Sequence, residues 1–301
     1  MFNRNINFVK DVAAVLGYDC AEIRRKYPCM ETEKCGDVLS ESTLGELRCD
    51  GLELTSLKIR EGYVPVGLQE FVINEENMHV PKIILILESP HKDEYRVRCC
   101  QCAKEHQCGL YSIPAPARGM TGIAIKMKLP LLFNQRFDDY YVGFMNLIQY
   151  QCSLGMEVNK NKKKETNSNI KDKVVWNLID SDRFAYRSNF IERLKKTYIP
   201  DQDIIIVCST GGRDKRNKIC QMVEKDVEDV RCLLSTGHPV SWIRNHKNSV
   251  LEIKLCSNIR NVPSQKNIVE DSSELYAILS GEMYAKTERL AFAKFTKKGI
   301  L

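Results

Sequence analysis

Ionisable side chains cluster in the stretch KIILILESPHKDEY at residues 82–95. Glu88, His91, Asp93 and Glu94 lie close together there. Carboxylates can stabilise developing positive charge or activate water, and an imidazole can donate or accept a proton. These residue types predict a site for acid–base chemistry or for electrostatic stabilisation of a charged intermediate.

The ionisable side chains follow a segment that predicts a buried strand. Residues 83–87 are all apolar, show no helical period and are soon followed by Pro90, which stops the strand. Such runs are typical of parallel sheets, which are covered on both faces. Because ligands bind at the carboxyl ends of parallel strands, Glu88 is a candidate site residue. The alternative is a solvated loop carboxylate, the more common role of a glutamate.

The rest of the chain alternates between strand patterns and helix patterns. Such alternation predicts an α/β fold, here a three-layer αβα sandwich around a central, mostly parallel four-stranded sheet. The predicted strands cover residues 82–88, 140–147, 203–209 and 230–234, and the predicted helices cover 123–133, 189–197 and 216–225. We predict a core over 81–256, an N-terminal helix/loop extension over 1–80, and a C-terminal helical segment packed on the core over 257–301, with one helix at 272–295.

Composition narrows the class of protein. With 301 residues, of which 43% are hydrophobic, the chain can bury a sizeable core. No apolar run approaches the roughly 20 residues of a membrane span, and the first residues lack the apolar segment of a signal peptide. We therefore expect a cytoplasmic protein with no membrane partner. The 13 cysteines are scattered through apolar segments as well as clustered, which favours reduced thiols over a disulfide framework.

Lysine and arginine are unevenly distributed in this chain of net charge +6. Residues 160–173 form a Lys-rich run that predicts a loop, residues 193–196 lie on a predicted helix, and residues 213–218 follow a strand and a Gly-Gly turn. Each run alone is typical of a solvated face. Three runs in one chain, two of them beside strand ends, favour a polyanionic partner such as nucleic acid.

Two further loops carry side chains that suit the same site. Asn146 lies at the end of the second predicted strand, and the last predicted strand leads into STGHPVSW at residues 235–242. Together with Glu88-Ser89-Pro90, this set resembles the motifs of the uracil-DNA glycosylase superfamily. That superfamily has a G-[EQIM]-[ADN]-P motif after its first strand, an Asn at the end of a middle strand and a His-Pro-Ser loop after the last. The resemblance extends over residues 80–245.

The first motif is most similar to the G-E-A-P-G-x-x-E form of the thermophilic, iron-sulfur branch, which Glu88, Pro90 and Glu94 match. The segment 118–122 resembles a shortened pocket loop of that branch, but the N-terminal C-x2-C of its iron-sulfur pattern is missing. Leu87 replaces the leading Gly of the motif, and Ser89 stands where other branches place a water-activating Asp or Asn.

The resemblance implies a monofunctional DNA glycosylase that hydrolyses the N-glycosidic bond of a flipped-out pyrimidine and leaves an abasic site. The implied catalytic residues are Glu88 and Glu94 on the sugar side and His238, which donates a hydrogen bond to the leaving base. The implied substrate-binding residues are Ser89, Pro90, His91, Asn146 and Met120. The expected DNA-binding residues are Arg118, Thr210, Gly211, Arg213, Lys215, Ser241 and Arg244. DNA is the expected partner, the protein is expected to act as a monomer, and the reaction requires no cofactor.

The departures from the family bear on the base that is removed. His91 follows Pro90 where the uracil-specific branch has a Tyr, so the pocket differs from the standard uracil pocket. This difference favours the bacterial antiviral type, which excises hypermodified cytosines such as glucosylated hydroxymethylcytosine from phage DNA. The alternatives are a uracil-excising repair enzyme, a catalytically inactive nucleic-acid-binding module of the same fold, and an unrelated phosphate-binding α/β enzyme with its site near residues 210–213.

A cysteine cluster between residues 99 and 108 is a second chemical signal. Cys99, Cys102, His106 and Cys108 have the residue types and the C-x2-C spacing of a tetrahedral zinc site. A structural zinc is one interpretation of the cluster, and a loop of free thiols is the other.

Overall fold

The computed structural model describes residues 6–50, 70–91, 94–95, 116, 120–131, 133, 135–154, 167–209, 212–230, 233–244, 252–255, 267–269 and 290–292. Its helices are α1 (Phe8–Leu16), α2 (Cys20–Lys26), α3 (Leu44–Asp50), α4 (Met120–Lys128), α5 (Asn167–Asp180), α6 (Tyr186–Thr197), α7 (Gly212–Asp226) and α8 (Pro239–Arg244). Its strands are β1 (Val38–Thr43), β2 (Glu70–Val72), β3 (Lys82–Leu87), β4 (Tyr141–Asn146), β5 (Ile204–Ser209), β6 (Leu233–Gly237), β7 (Glu252–Leu255), β8 (Asn267–Val269) and β9 (Leu290–Phe292). Among the described helices, none has the length and apolar character to cross a bilayer.

The strands form a mixed sheet, so the predicted α/β class is confirmed. Its centre consists of the parallel strands β4, β3, β5 and β6, in that order. Antiparallel strands extend it on both sides: β1 pairs with β4 and then with β2, and β7 pairs with β6. Strand β9 continues from β7 and pairs with β8. The prediction of a four-stranded sheet was therefore too small, because strands outside the alternating core cover the open edges of β4 and β6.

Helices pack against both faces of the sheet. In β3, Ile83, Leu85 and Leu87 point to one face, and Ile84 and Ile86 point to the other. The first face is covered by α3, α4 and α8, and the second by α1, α2, α5, α6 and α7. Because both faces are buried, every position of β3 is apolar after Lys82, which explains the continuous apolar run in the sequence.

One helix was not predicted, and one strand boundary was wrong. Helix α5 begins at Asn167, inside the run 160–173 that the sequence predicts as a loop. Its buried residues Ile170 and Val174 follow the helical period, but the surrounding lysines mask that pattern. Strand β6 covers Leu233–Gly237 and extends past the predicted end at residue 234, because Ser235 and Thr236 are small polar residues that are nonetheless fully buried.

Strands also occur where none were predicted. The N-terminal extension over 1–80, predicted as helix and loop, contributes β1 and β2 to the sheet. At the other end, the helix predicted over 272–295 is wrong at β9, which is extended and pairs with β7. Strands β2 and β9 have three residues each, and such short strands carry little periodicity of their own.

A buried ion pair lies at the amino ends of the central strands, opposite the predicted site. The Lys82 ammonium lies 2.9 Å from the Asp203 carboxylate, and both side chains are fully buried. Lys82 also donates to the carbonyl oxygens of Met78 and Val80, at 2.6 and 3.0 Å. Burial lowers the pKa of Lys82 and raises the pKa of Asp203, and their mutual attraction opposes both shifts. The pair joins the start of β3 to the segment that leads into β5.

Candidate functional site

The side chains predicted to do chemistry lie together at the carboxyl ends of the parallel strands, which we call one edge of the sheet. Leu87 of β3 pairs with Asn146 of β4, and Ser209 of β5 pairs with Gly237 of β6. Beyond β3, the Glu88 carbonyl accepts a hydrogen bond from the Ile148 amide at 3.0 Å. Glu88, Asn146 and His238 therefore follow or end three of the four parallel strands at the same edge.

Glu88 is buried, with 2% of the residue exposed, and both of its carboxylate oxygens are engaged. The Ser209 hydroxyl donates to one oxygen, and the Lys171 ammonium binds the other. Lys171 comes from the second turn of α5, which packs on the face of the sheet toward which Glu88 points. A buried carboxylate needs such partners because an isolated buried charge is costly.

A thiol lies beside this carboxylate. Burial raises the pKa of the Cys152 thiol to about 12, and the nearby Glu88 carboxylate adds to that effect. Lys171 and the Ser89 hydroxyl act in the opposite direction. Cys152 is thus a neutral thiol near neutral pH, and it contributes packing to the site instead of a nucleophile.

Asn146 is held so that its amide oxygen lacks a partner. The residue is 1% exposed, and its side-chain nitrogen Nδ2 donates to the Cys35 sulfur at 3.9 Å. Its backbone carbonyl accepts from Arg193 of α6 at 2.7 Å. The side-chain oxygen Oδ1 is buried and has no hydrogen-bond partner. Such an acceptor costs about 1–3 kcal/mol unless a ligand satisfies it.

The segment of residues 31–37, here called the N-terminal strap, runs along the loop that follows β4. The strap donates from the Cys35 amide to the Gln149 carbonyl at 2.8 Å. Asp37 binds Arg193 at 2.5 Å and accepts from the Gln149 side chain at 3.2 Å. Burial raises the pKa of Asp37, and the Arg193 guanidinium opposes that shift. These contacts fix Cys35 against Asn146.

The loop after β6 fixes the tautomer of His238. The Val240 amide donates to Nδ1 of the imidazole at 3.3 Å. A neutral imidazole that accepts at Nδ1 carries its proton on Nε2 and can donate from there. The His238 carbonyl accepts from the amide and the hydroxyl of Ser241, at 2.8 and 2.6 Å, and Pro239 begins α8. The Ser241 hydroxyl, predicted to bind DNA, is therefore used to brace this turn.

The turn after β3 is closed by its own residues. The Glu94 carboxylate accepts from the His91 amide at 2.9 Å, and the Glu94 amide donates to the His91 carbonyl at 3.0 Å. Pro90 and Glu94 are buried, whereas His91 is exposed. Tyr95 then donates to the Glu33 carbonyl of the N-terminal strap at 3.2 Å. Glu94 thus has a structural role in the turn, whatever else it does.

The remaining predicted residues are described only in part. Lys215 of α7 pairs with Asp172 of α5 at 2.5 Å, and its ammonium lies 5.9 Å from the centre of the Trp176 ring. Met120 begins α4, Arg213 lies in the first turn of α7, and Arg244 ends α8. The predicted residues that lie outside the described part of the chain are Arg118, Thr210, Gly211, Cys99, Cys102, His106 and Cys108. Within the described part, no group of three or more metal-ligating side chains occurs.

Four residues of the site were missed in the sequence analysis. Lys171 lay in the run predicted as a loop, and Arg193 lay in a basic run typical of a solvated helix face. Cys35 is a single thiol with no motif around it. Only Ser209 carried a usable signal, because it is the last residue of a predicted strand whose end faces the same edge.

The site combines a buried carboxylate, an amide oxygen that requires a donor, and an imidazole that can donate from Nε2. This set can stabilise a cation and hold an uncharged ring with hydrogen-bonding edges. Comparison with protein-family models, with curated proteins and with solved structures finds no match to this chain.

Proposed function

We propose that the protein is a DNA glycosylase that hydrolyses the N-glycosidic bond of a flipped-out, cytosine-type base in DNA and leaves an abasic site. The main support is the position of Glu88, Asn146 and His238 at the carboxyl ends of three of the four parallel strands. These three residues carry the sequence resemblance to the uracil-DNA glycosylase superfamily. Across the sheet, the order is Asn146 on β4, Glu88 after β3 and His238 after β6, with β5 between the last two.

Each side chain has a role in this proposal. Departure of the base leaves positive charge on the sugar, which the Glu88 carboxylate stabilises. Negative charge develops on the base, and His238 stabilises it by donating from Nε2 to the base oxygen. The target nucleotide must leave the base stack first, at a cost of a few kcal/mol.

The amide of Asn146 favours an amino group on the base. A cytosine-type base presents amino donors to the buried Oδ1 atom, which has no partner in the protein. At the position of the cytosine amino group, uracil presents an O4 acceptor, which needs a hydrogen from Nδ2, and one of the two Nδ2 hydrogens already donates to Cys35. A hypermodified cytosine, such as glucosylated hydroxymethylcytosine in phage DNA, is therefore the favoured substrate, with antiviral defence as the biological role. Uracil excision for repair is the alternative.

The finer structural and cellular expectations belong to the same proposal. The sheet and the helix layers on its two faces are taken as a three-layer αβα sandwich. The protein is taken to act on DNA as a cytoplasmic monomer. Catalysis uses no cofactor in this proposal. A zinc bound by Cys99, Cys102, His106 and Cys108 would have a structural role only.

A strand-break assay tests the proposed reaction. The protein is incubated with phage DNA that contains glucosylated hydroxymethylcytosine, and separately with DNA that contains uracil. Alkali then converts abasic sites to breaks. We expect breaks in the first substrate, and a rate about 10²–10³-fold lower for His238→Ala, as for the loss of one transition-state donor. Glu88→Gln should also be slower than the wild type, because it removes the charge that stabilises the sugar cation. Its matched control, Glu192→Gln on the exposed face of α6, should act as the wild type does.

The outcomes of this assay separate the alternatives. Breaks only in the uracil substrate would replace the cytosine-type proposal by the repair function. A second candidate, a binding module without turnover, is favoured by the engagement of both Glu88 oxygens by Ser209 and Lys171. It predicts DNA binding with no breaks in either substrate.

A further inference from the structure

A lysine amine lies where the sugar is expected. The Lys171 ammonium binds the buried Glu88 carboxylate, and 19% of the Lys171 side chain is exposed. A buried ion pair adds little net stability, because the loss of hydration offsets the attraction between the charges. A contribution to stability therefore does not by itself explain why this amine lies at the carboxyl ends of the strands, where ligands bind.

The position of Lys171 is fixed by the next residue of α5. Asp172 pairs with Lys215 of α7 at 2.5 Å, which anchors this turn of α5 beside α7. The amine is therefore held against Glu88 by a braced helix, and a positioned group reacts faster than a mobile one. The nearby Cys152 does not compete as a nucleophile, because it remains a neutral thiol near neutral pH.

We propose that Lys171 forms a Schiff base with the abasic sugar and that the protein also cleaves the DNA strand by β-elimination. This inference rests on the proposed glycosylase function, which supplies the abasic sugar. It goes beyond the expectation of a monofunctional enzyme, which took no account of Lys171 because the run 160–173 was predicted as a loop. The protein would then leave a broken strand instead of an intact abasic site.

The proton balance uses only Lys171, Glu88 and water. Lys171 first gives a proton to Glu88, and the neutral amine adds to the C1′ aldehyde of the ring-opened sugar. The hydroxyl of the adduct leaves as water with the proton from Glu88, which produces an iminium ion. Glu88 then removes a C2′ hydrogen, the C3′–O bond breaks and the 3′-phosphate leaves with the electron pair. Water hydrolyses the remaining iminium, which restores the Lys171 ammonium, and Glu88 loses its proton to solvent.

Borohydride trapping on preformed abasic DNA tests this step separately from base removal. The protein is mixed with an oligonucleotide duplex that carries one abasic site, sodium borohydride is added, and the covalent adduct is measured on a denaturing gel. Lys171→Arg keeps a cation beside Glu88 but cannot form the Schiff base. Lys173→Arg changes an exposed lysine on the same helix and is the matched control. Circular dichroism checks that both variants are folded.

We expect the adduct with the wild type and with Lys173→Arg, mass spectrometry to locate it at Lys171, and at least a tenfold loss with Lys171→Arg. An equal yield with Lys171→Arg, or no adduct with the wild type, overturns the inference. If alkali-dependent breaks still form in base-containing DNA, the glycosylase proposal survives that result. An adduct at Lys171 without any base release would instead sink the glycosylase proposal and leave the lyase step standing.

Discussion

The sulfur of Cys35 is the residue-scale feature that directs the Asn146 amide. Its contact with Nδ2 commits one amide hydrogen and leaves Oδ1 to the substrate. A typical hydrogen bond contributes about 0.5–1.5 kcal/mol net, and bonds to a thiol are weak members of that range. We therefore expect that the Cys35 sulfur alone can change the preference of the site between uracil and a cytosine-type base.

Cys35→Ala should shift the substrate preference toward uracil. Without the sulfur, both Nδ2 hydrogens can reach an O4 acceptor, so we expect the ratio of uracil to cytosine-type excision to rise about 2- to 10-fold. The ratio is measured by single-turnover kinetics on both substrates. Cys220→Ala removes a buried thiol from α7 and serves as the control. An unchanged ratio in Cys35→Ala would show that the sulfur does not direct the amide.

Ser209 makes a second residue-scale contribution, through its hydrogen bond to Glu88. Ser209→Ala should slow base release about tenfold, because the carboxylate loses a donor that holds it in place and that supports its charge. The measurement is the single-turnover rate at saturating DNA. Ser188→Ala, on the exposed side of α6, should leave the rate unchanged. A wild-type rate for Ser209→Ala would mean that Lys171 alone orients Glu88.

At the scale of the elements, two ion pairs tie strands and helices together at opposite edges of the sheet. Arg193 of α6 joins the N-terminal strap to β4 by binding both Asp37 and the Asn146 carbonyl. Lys82 joins β3 to the segment before β5. The first pair lies at the candidate site, whereas the second lies at the amino ends of the strands. Only changes to the first are expected to affect the reaction directly.

Lys82→Met should destabilise the protein strongly. It leaves Asp203 buried without a counter-charge, which costs about 3–5 kcal/mol when one partner of a buried pair is removed. Urea unfolding followed by circular dichroism measures the change. Lys196→Met breaks the exposed pair with Glu192 and should cost less than about 1 kcal/mol. Adding Asp203→Leu to Lys82→Met should recover part of the loss. A failure to recover any of it would argue that the hydrogen bonds that Asp203 accepts from the Lys82 and Ile199 amides, not its charge, dominate.

At the scale of the whole molecule, buried thiols make stability depend on alkaline pH. Burial raises the pKa of Cys152 from 9.0 to about 12, and it also raises the pKa of Cys208. Above the unfolded pKa, the unfolded chain releases thiol protons that the folded chain retains. The free energy of unfolding is therefore expected to fall by about 1.4 kcal/mol per pH unit for each such thiol.

Cys152→Ala tests this pH dependence. The fall in the free energy of unfolding between pH 9 and about 12 should be shallower in the variant by about 1.4 kcal/mol per pH unit. Urea midpoints measured across this range give the slope. Cys29→Ala, at an exposed position, should keep the wild-type slope. Parallel curves for Cys152→Ala and the wild type would contradict the assigned burial of Cys152.

The parts of the fold that sequence predicts are those whose signal is local. Strands β3, β4 and β5 are uniform apolar runs, and the loops after them carry recognisable side chains, so this edge of the sheet was predicted with Glu88, Asn146 and His238 in place. The partners of these residues were not predictable in that way. Lys171 lies 83 residues from Glu88, and Cys35 lies 111 residues from Asn146. Such pairs depend on how the chain folds back, which periodicity does not encode.

The N-terminal strap also sets the smallest piece of the chain that can be functional. A protein shortened to residues 81–256 would keep Glu88 and His238, but it would lose Cys35 and Asp37 and expose the edge of β4 that β1 covers. The side-chain amide of Asn146 could then flip, which would exchange the positions of Oδ1 and Nδ2. Arg193 would lose its carboxylate partner. We therefore expect such a truncated protein to be aggregation-prone and unselective among bases. Selectivity would then originate in the N-terminal strap, so transferring only residues 81–256 into another protein would transfer Glu88 and His238 without the ability to discriminate between bases.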